Sequence, residues 1–222
     1  MSNIKPKNFH VTFLFDRSND WIEKYINIGH LKKLKSLKKY KFRKSKKYSS
    51  IVNQDIVFIL GYTRILSKSF LKRNRLCLVC HESNLPKGKG FSPVQWQILE
   101  NKKVIPIMLI QATSKVDSGK IYSKQNFRLN GTELFHEIRK KQGLATFKII
   151  KKFLSEYPKV YYKAQSGKET YYRKRNTNDS RLDINLSIKD QFNLLRIVDN
   201  KNWPAFFHYK NKIFNIKISE KK

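Results

Sequence analysis

The sequence predicts an α/β fold, a Rossmann-like, mainly parallel sheet with helices on both faces, plus a small C-terminal helix and β-hairpin extension. Short apolar runs rich in β-formers alternate with segments of helical spacing up to residue 154. One run, DIVFIL at residues 55–60, is apolar on both faces, as in strands covered from two sides. The length of 222 residues allows one large domain, or one domain with a small appendage.

The elements follow in the order that such a fold requires. A strand, a turn and a helix open the chain, and further strands then alternate with helices that return across the sheet. The predicted strands are 10–15, 40–43, 55–60, 75–80, 104–110 and 121–126. The predicted helices are 21–28, 65–73, 92–99, 132–154 with Thr132 as its cap, and 187–198. Residues 205–209 and 213–218 form the predicted hairpin.

We place a domain boundary at Pro158, where the pattern of long regular elements ends. Residues 1–158 then form the α/β domain, and residues 159–222 form the small extension. This tail is too short for a hydrophobic core of its own. We therefore expect it to pack on the main domain or at the interface of a homodimer.

The charge of the chain is strongly basic. Lys and Arg number 48 against 16 Asp and Glu, which gives a net charge of +32. Such an excess attracts polyanions, including nucleic acid, anionic membranes and phosphorylated ligands. Residues 31–47 hold ten Lys or Arg and no acid, so they form either a solvated face or a polyanion-binding surface. Lysine beside Asn, Ile and Tyr is also typical of AT-rich genomes, so the charge alone does not select a partner.

Cysteines and apolar runs limit the class of protein. Cys77 and Cys80 are too few for a four-cysteine zinc site or a disulfide framework, and we expect packed thiols and no metal site. No apolar run reaches the length of a membrane span. Residues 1–15 lack the long apolar region of a secretory signal. We expect a cytoplasmic, soluble protein with no membrane span.

His81 and Asp117 are the candidate catalytic residues. His81 ends a predicted parallel strand, at the edge where open α/β sheets bind ligands. Asp117 lies in a turn after a neighbouring strand. Two side chains that leave two strand ends can meet across one cleft, where a carboxylate orients the imidazole and supports its cation. The other histidines have no comparable acidic partner after a neighbouring strand, and we expect them to be structural.

The segment HESNLPKGKGFSP (residues 81–93), followed by DSG (residues 117–119), resembles the signature of formyltransferases that use 10-formyltetrahydrofolate. That family includes methionyl-tRNA, glycinamide ribonucleotide and nucleotide-sugar formyltransferases. The motif-level similarity covers about residues 55–125, and several Gly and Pro positions match together with the polar ones. Residues 179–183 and 190–207 resemble the C-terminal part of the sugar-modifying members.

The resemblance implies a role for each matching residue. His81 corresponds to the catalytic histidine, which manages the proton as a substrate amine attacks the formyl carbon, and Asp117 corresponds to its acidic partner. The backbone of residues 62–66 would hold the pterin ring of 10-formyltetrahydrofolate, the expected formyl donor. The implied folate contacts are Tyr62, Arg64, Ile65, Leu66, Val116 and Asp117. The implied acceptor contacts are Ser83, Lys87, Lys89, Gly90 and Trp96.

Val79 departs from the family pattern. Members usually carry Asn two residues before the histidine, where its amide binds the formyl oxygen. Val79 cannot donate a hydrogen bond, and loss of one such donor typically raises the barrier by about 2.7–4 kcal/mol. Asn84 is the candidate replacement donor, or else only a turn former. A divergent, inactive member of the family is the other interpretation of Val79.

The expected acceptor is a nucleotide-linked amino sugar destined for surface polysaccharide. The residues after Pro158 are too few for the separate β-barrel domain of the tRNA enzymes, and they resemble the sugar branch. Lys87 and Lys89 suit a phosphate-bearing substrate, although solvated loop lysines would have the same pattern. A methionyl-tRNA formyltransferase-like enzyme that binds tRNA is the second candidate, supported by the net charge of +32. A non-catalytic RNA-binding protein on the same scaffold is the third.

Overall fold

The computed structural model describes residues 8–221 and is built around a six-stranded sheet. Two further pairs of short strands lie beside this sheet. In chain order the strands are β1 (Phe9–Phe15), β2 (Tyr40–Ser45), β3 (Ile56–Leu60), β4 (Cys77–His81), β5 (Lys89–Gly90), β6 (Val104–Gln111), β7 (Ile121–Arg128), β8 (Tyr171–Tyr172), β9 (Ala205–Tyr209) and β10 (Lys212–Ile216).

The main sheet has the strand order β2-β1-β3-β4-β6-β7. Its first four strands in this order pair in parallel. β6 is antiparallel to both of its neighbours, β4 and β7. The predicted α/β class with a mainly parallel sheet is therefore confirmed. Of the small sheets, β9 and β10 form the predicted C-terminal hairpin, and β5 pairs in parallel with β8.

Alternate side chains of each strand point to opposite faces of the sheet. Both faces carry apolar side chains, and helices cover both. Phe13 and Phe58 lie in the large hydrophobic cluster, while Leu14 and Val57 belong to a second cluster around Phe70. The helices are α1 (Ile28–Lys33), α2 (Lys68–Lys72), α3 (Pro93–Leu99), α4 (Phe135–Glu156) and α5 (Phe192–Ile197). α2 contributes Phe70 to the second cluster, and α4 contributes Ile149 and Phe153 to the first.

The predicted helix at residues 21–28 is wrong. The structure has only a 3₁₀ turn, Glu23–Tyr25, and α1 begins at Ile28. The physical reason is Asn27, whose backbone is extended and whose side chain accepts a hydrogen bond from the backbone N–H of His30. This N-cap starts a new helix at the point where the spacing of apolar residues had suggested that one ended.

Three other predicted helices have different ends in the structure. α2 begins after Ser67, whose hydroxyl accepts from the N–H of Phe70. The cap predicted for α4 is wrong, since the hydroxyl of Thr132 donates to Asn130 and the backbone N–H of Leu134 donates to Glu137 instead. α5 is limited to Phe192–Ile197 within the predicted 187–198. Side-chain capping therefore decides these ends more than apolar spacing does.

A buried polar contact joins the C-terminal residues to the start of α4. The Arg196 side chain is 2% exposed and donates to the carbonyl of Glu133 at 3.2 Å. The carboxylate of Glu133 accepts from Lys141 at 2.5 Å and from the backbone N–H groups of Asn130 and Gly131. α5 therefore packs against α3 and α4 with its cation neutralised. The division at Pro158 stays a prediction.

Within residues 8–221, no helix is both long and apolar enough to cross a membrane. Over the same range, no group of three or more His, Cys, Asp or Glu is placed to hold a metal ion. Cys77 and Cys80 are free thiols, and burial raises the pKa of Cys77 to about 12. Residues 1–7 of the N-terminal segment used for the prediction about export signals lie outside the described residues. The cytoplasmic location stays a prediction.

The Glu133 contacts predict a pH-dependent contribution to stability. Burial raises the pKa of Glu133, but the hydrogen bonds from Lys141, Asn130 and Gly131 outweigh burial and lower it from 4.5 to about 2. A carboxyl group with a lower pKa in the folded state than in the unfolded state stabilises the fold at pH values above the unfolded-state pKa. This stabilisation is lost as the pH falls from 4.5 towards 2. Between pH 4.5 and 3.5, the wild type should lose about 1 kcal/mol more than Glu133→Gln. Urea unfolding at both pH values measures this difference.

The matched control is Glu156→Gln, which neutralises an exposed carboxylate at the end of the same helix. Its free energy of unfolding should follow that of the wild type over this pH range. An equal pH slope for Glu133→Gln and the wild type would contradict the assignment.

Candidate active site

The structure brings His81 and Asp117 together in a nearly closed site. His81 is the last residue of β4 and is 5% exposed. Its Nδ1 lies 3.4 Å from the carboxylate oxygen Oδ2 of Asp117, and its Nε2 lies 2.8 Å from the carbonyl of Gly88. Both neighbours are hydrogen-bond acceptors, so both ring nitrogens can donate only when the ring is a cation. The site can therefore hold an imidazolium, the form that a general base reaches after taking a proton.

The route by which Asp117 reaches His81 differs from the prediction that both leave strand ends at one edge. β6 is antiparallel to β4, with Gln111 opposite Leu78 and Met108 opposite His81. The end of β6 therefore lies near the start of β4, three residues from the histidine. The β6–β7 connection must fold back over the sheet for the carboxylate to meet the imidazole.

Two backbone features allow this return. Asp117 has a left-handed backbone with φ +46°, a conformation that short polar residues adopt more readily than most. Gly119 packs so tightly on the preceding strand that a Cβ there would lie 1.8 Å from the carbonyl oxygen of Gln111. A side chain at position 119 would push the connection away from β6. The glycine of the DSG motif is thus needed for close packing of the β6–β7 connection.

The loop after His81 is fixed to the same aspartate. The backbone N–H of Gly90 donates to Oδ2 of Asp117 at 2.9 Å, so this oxygen contacts both His81 and the loop that follows it. Gly90 has φ +97°, and a Cβ there would lie 2.4 Å from the carbonyl oxygen of Tyr172 in β8. Glycine is required at position 90 both for the backbone conformation and for the pairing of β5 with β8.

Val79 and His81 lie on the same face of β4, because they are two residues apart in a strand. Val79 is half-buried and packs against the hydrophobic cluster that contains Leu66 and Phe70 and against the cluster that contains Leu85. It therefore has an apolar packing role beside the imidazole and supplies no donor. Asn84 is exposed, accepts at Oδ1 from Lys124 at 2.7 Å, and its carbonyl accepts from Lys87 N in a turn.

The predicted folate loop, residues 62–66, is anchored from below by Asp16. The carboxylate of Asp16 accepts from the backbone and hydroxyl of Thr63 and of Ser18. Burial raises the pKa of Asp16, but these four hydrogen bonds outweigh burial and hold the pKa well below its ordinary value. The carboxylate is therefore charged at neutral pH, and it fixes the loop at the carboxyl end of β3. Sequence reasoning assigned Asp16 only to a turn.

The predicted folate contacts differ in exposure. Ile65 is 68% exposed and Val116 is 38% exposed, while the Leu66 side chain is buried beneath the loop. Tyr62 is half-buried with the guanidinium of Arg64 5.5 Å from the centre of its ring. Leu66 can therefore contribute through its backbone, whereas Ile65 and Val116 present apolar side chains.

The predicted acceptor contacts are divided. Lys87 is exposed, and the buried hydroxyl of Ser83 makes no hydrogen bond among the described residues. The Lys89 side chain is 1% exposed and its ammonium is bound to Glu169 at 2.6 Å. Trp96 stacks on Tyr172 and donates from Nε1 to the carbonyl of residue 173. Both sets of contacts come from the chain segment around β8, and the roles of Lys89 and Trp96 as acceptor contacts stay predictions.

Glu82 is a further polar residue at the site that sequence reasoning missed. It follows His81, and its carboxylate accepts from Gln142 Nε2 of α4 at 2.7 Å. Burial raises the pKa of Glu82, although the hydrogen bond from Gln142 and the charges of His81 and Arg139 act in the opposite direction. Its position one residue past the strand end was the available signal.

Comparison with curated proteins gives distant but extended similarity. The chain is 31% identical over 175 residues to the bifunctional polymyxin resistance protein ArnA of Wigglesworthia glossinidia brevipalpis, covering 77% of this chain and 26% of ArnA. It is 25% identical over 179 residues to the methionyl-tRNA formyltransferase of Rickettsia bellii, covering 76% of this chain and 56% of that protein. The chain thus spans about half, or less, of the length of these relatives.

Solved structures share the fold across nearly the whole chain. A methionyl-tRNA formyltransferase from Clostridium thermocellum superposes with a TM-score of 0.79 at 21% identity, covering 96% of this chain and 94% of that chain. A sugar N-formyltransferase from a Shewanella species has a TM-score of 0.73 at 14% identity, covering 96% and 98%. HypX from Aquifex aeolicus in complex with tetrahydrofolic acid has a TM-score of 0.72 at 12% identity, covering 94% and 37%.

The model of the formyl transferase family matches residues 12–146. This range includes the second half of β1, the loop at residues 62–66, His81 and Asp117. Because the match covers more than half of the 222 residues, the chain belongs to the formyl transferase family.

Proposed function

We propose that this protein transfers a formyl group from 10-formyltetrahydrofolate to the amine of a nucleotide-linked amino sugar. The observation that carries the proposal is the enclosed His81–Asp117 pair, in a chain of the formyl transferase family. The solved complex of HypX with tetrahydrofolic acid supports the choice of donor. The sugar N-formyltransferase from Shewanella supports the choice of acceptor.

The loops beside His81 fit a flat ring with polar edges. Residues 64–66 make no backbone hydrogen bond among the described residues, so their peptide groups are free to bind a ligand. Ile65 and Val116 expose apolar side chains, and Tyr62 packs with Val79 on one hydrophobic cluster. Exposed peptide groups beside apolar side chains suit a pterin, which has hydrogen-bonding edges and apolar faces.

In this proposal His81 handles the proton. The bound folate supplies the formyl group. Asp117 orients His81 through Nδ1, which leaves Nε2 as the nitrogen that faces the acceptor. The acceptor amine would replace the carbonyl of Gly88 at Nε2 and give up its proton there as it attacks the formyl carbon. Nε2 would return the proton to the folate nitrogen as the bond between that nitrogen and the formyl carbon breaks. The carboxylate of Asp117 stabilises the resulting imidazolium.

Asn84 is the proposed donor to the formyl oxygen in the absence of an amide at position 79. Lys124 can only donate, so its contact with Asn84 fixes Oδ1 on the lysine side. The Nδ2 group is then the end that remains for a ligand acceptor. The Ser83 hydroxyl lies on the same loop, buried and without a hydrogen-bond partner among residues 8–221, and is a polar group for the acceptor in this proposal.

Removal of either member of the pair should abolish most of the activity. We expect His81→Gln and Asp117→Asn to lower kcat for formyl transfer by about 10²–10⁴-fold, the usual contribution of a positioned acid or base. Release of tetrahydrofolate from 10-formyltetrahydrofolate, followed by absorbance, measures the rate. The control is His136→Gln at the exposed start of α4. Wild-type rates in either site variant would exclude this mechanism.

An assay with two kinds of acceptor distinguishes the amino-sugar proposal from the second candidate. Purified protein and 10-formyltetrahydrofolate would be offered nucleotide-linked 4-amino-4,6-dideoxyhexoses and, separately, methionyl-tRNA. We expect formyl transfer to an amino sugar and none to methionyl-tRNA. Transfer to methionyl-tRNA alone would replace the sugar acceptor with the second candidate.

A specific surface favours that second candidate, a methionyl-tRNA formyltransferase-like enzyme. Lys32, Lys38 and Lys41 of the basic segment line one surface depression beside α1 and the edge strand β2. None of these three lysines makes a salt bridge with a described acidic residue. Such a cluster would bind phosphates with strong salt dependence. Salt-sensitive tRNA binding without any formyl transfer would instead support a non-catalytic RNA-binding protein, which Val79 also fits.

A homodimer through the C-terminal hairpin belongs to the same proposal. Trp203, Ile213 and Phe214 are 62%, 63% and 42% exposed, and this C-terminal element is therefore the proposed place for an interface. Sedimentation should give a dimer for the wild type and a monomer for the double variant Trp203→Lys with Ile213→Lys. A monomeric wild type at assay concentrations would contradict this interface.

A further inference from the structure

One segment of the chain contacts both loops that carry the catalytic pair. We call residues 163–172 the strap. At its start, Lys163 exchanges two backbone hydrogen bonds with Ile121 at the beginning of β7. Gln165 Nε2 then donates to the carbonyls of Asp117 and Gly119, at 2.7 and 2.9 Å. The strap therefore begins by fixing the backbone on both sides of Ser118.

The far end of the strap holds the loop after His81. The backbone N–H of Gly88 donates to Oγ1 of Thr170 at 2.8 Å, and the N–H of Lys89 donates to the carbonyl of Thr170 at 2.9 Å. The N–H of Thr170 donates to the carbonyl of Pro86. Because the carbonyl of Gly88 accepts the hydrogen bond of His81 Nε2, the strap touches the backbone that contacts the imidazole.

Through one ammonium group, Lys89 connects the loop after His81, on which it lies, with the Asp117 turn and the strap. Its Nζ lies 2.9 Å from the hydroxyl of Ser118, next to Asp117, and 2.6 Å from Oε1 of Glu169 in the strap. The lysine side chain is 1% exposed, whereas that of Glu169 is 39% exposed. A buried ammonium is costly without a charged partner, so this contact can persist only with the carboxylate in place. Lys115 also lies near Glu169, with Nζ 3.7 Å from Oε2.

We propose that Lys89 is a positioning residue for the reaction, whose ammonium, anchored by Glu169, holds the Asp117 turn against the His81 loop. This inference rests on the proposed function of the same site. It differs from a substrate-binding role for Lys89, because the ammonium faces Ser118 and Glu169. It also explains why the strap, far along the chain, lies over the site.

A positioning role predicts effects that a merely structural role would not produce. A misplaced carboxylate changes the chemical step and the state of the imidazole, and leaves the folate loop at residues 62–66 unchanged. Misplacement of about 1 Å at a catalytic group can cost on the order of 100-fold in rate. Because Val116 and Asp117 in the displaced turn are also proposed folate contacts, we expect kcat to fall by a larger factor than the KM for the formyl donor rises.

The experiment uses the full chain and four variants. Lys89→Met removes the ammonium and keeps the length of the side chain. Glu169→Gln removes the anchor at its more exposed end and is the variant less prone to unfold. The double variant tests whether both residues act through one contact. Lys141→Met is the matched control, since it breaks another lysine–carboxylate pair, with Glu133, that contacts neither catalytic loop.

Two readouts are measured for each variant, kcat and KM with the acceptor that the wild type uses, and the ¹⁵N shifts of the His81 ring. The ring signals, assigned by their loss in His81→Gln, report its protonation and hydrogen bonds without turnover. We expect Lys89→Met to lower kcat roughly 10- to 100-fold and to raise the KM for the donor by a smaller factor. The His81 signals should shift in Lys89→Met and Glu169→Gln, and the double variant should be no worse than Lys89→Met.

Unchanged His81 signals in both single variants would overturn the positioning role, as would a kcat for Lys89→Met equal to that of Lys141→Met. Effects of the two single variants that simply multiply in the double variant would also overturn it. If the wild type transferred no formyl group to any acceptor, the proposed function would fail by itself. The ring signals would then still decide whether Lys89 and Glu169 set the His81–Asp117 contact.

Discussion

The site depends on the contact between His81 and Asp117, and that contact depends on the antiparallel direction of β6. In a wholly parallel sheet, the ends of neighbouring strands meet at one edge, and two loops can bring their side chains together directly. Here the end of β6 lies beside the start of β4, because Gln111 pairs with Leu78. The β6–β7 connection must therefore cross the face of the sheet, and the aspartate reaches the histidine from above the strand.

This crossing explains several features that look unrelated in the sequence. Gly119 is needed where the connection packs on β6, and the left-handed backbone of Asp117 turns the chain towards the imidazole. A connection that crosses a sheet face has no neighbouring strand to hold its backbone, so its carbonyls need other donors. Gln165 of the strap donates to two of these carbonyls, and Lys89, which binds Glu169 of the strap, also contacts the Ser118 hydroxyl in the same connection. The residues beyond Pro158 are thus part of the site's architecture.

The fold class and the catalytic pair could be predicted from sequence because their signals are local. Buried strands such as β3 are apolar throughout, and His81 and Asp117 lie in motifs with Gly and Pro at fixed positions. The prediction of a helix at residues 21–28 was wrong because the spacing of apolar residues does not reveal that Asn27 caps a new helix. The contacts of Lys89 could not be predicted for a different reason. Its partner Glu169 lies 80 residues away, and no local pattern reports a contact over that separation.

The consequences of Val79 follow from its position on the His81 face of β4. The side chain lies between the cluster below the folate loop and the cluster around Leu85, so it adds apolar surface where the family usually has an amide. An apolar wall beside the imidazole favours a flat apolar ligand and weakens support for developing negative charge. The proposed site should therefore bind the donor well and depend on the remaining polar groups for rate.

A crystal structure of the protein with 5-formyltetrahydrofolate, a stable isomer of the proposed donor, would show whether residues 62–66 and the His81–Asp117 pair form one folate site. We expect the pterin to hydrogen-bond the backbone of residues 62–66 and to contact Val116. We also expect the formyl-bearing end to lie beside His81, with Asp117 still at Nδ1. Binding of the ligand elsewhere, or a pterin that makes no contact with residues 62–66, would contradict the account.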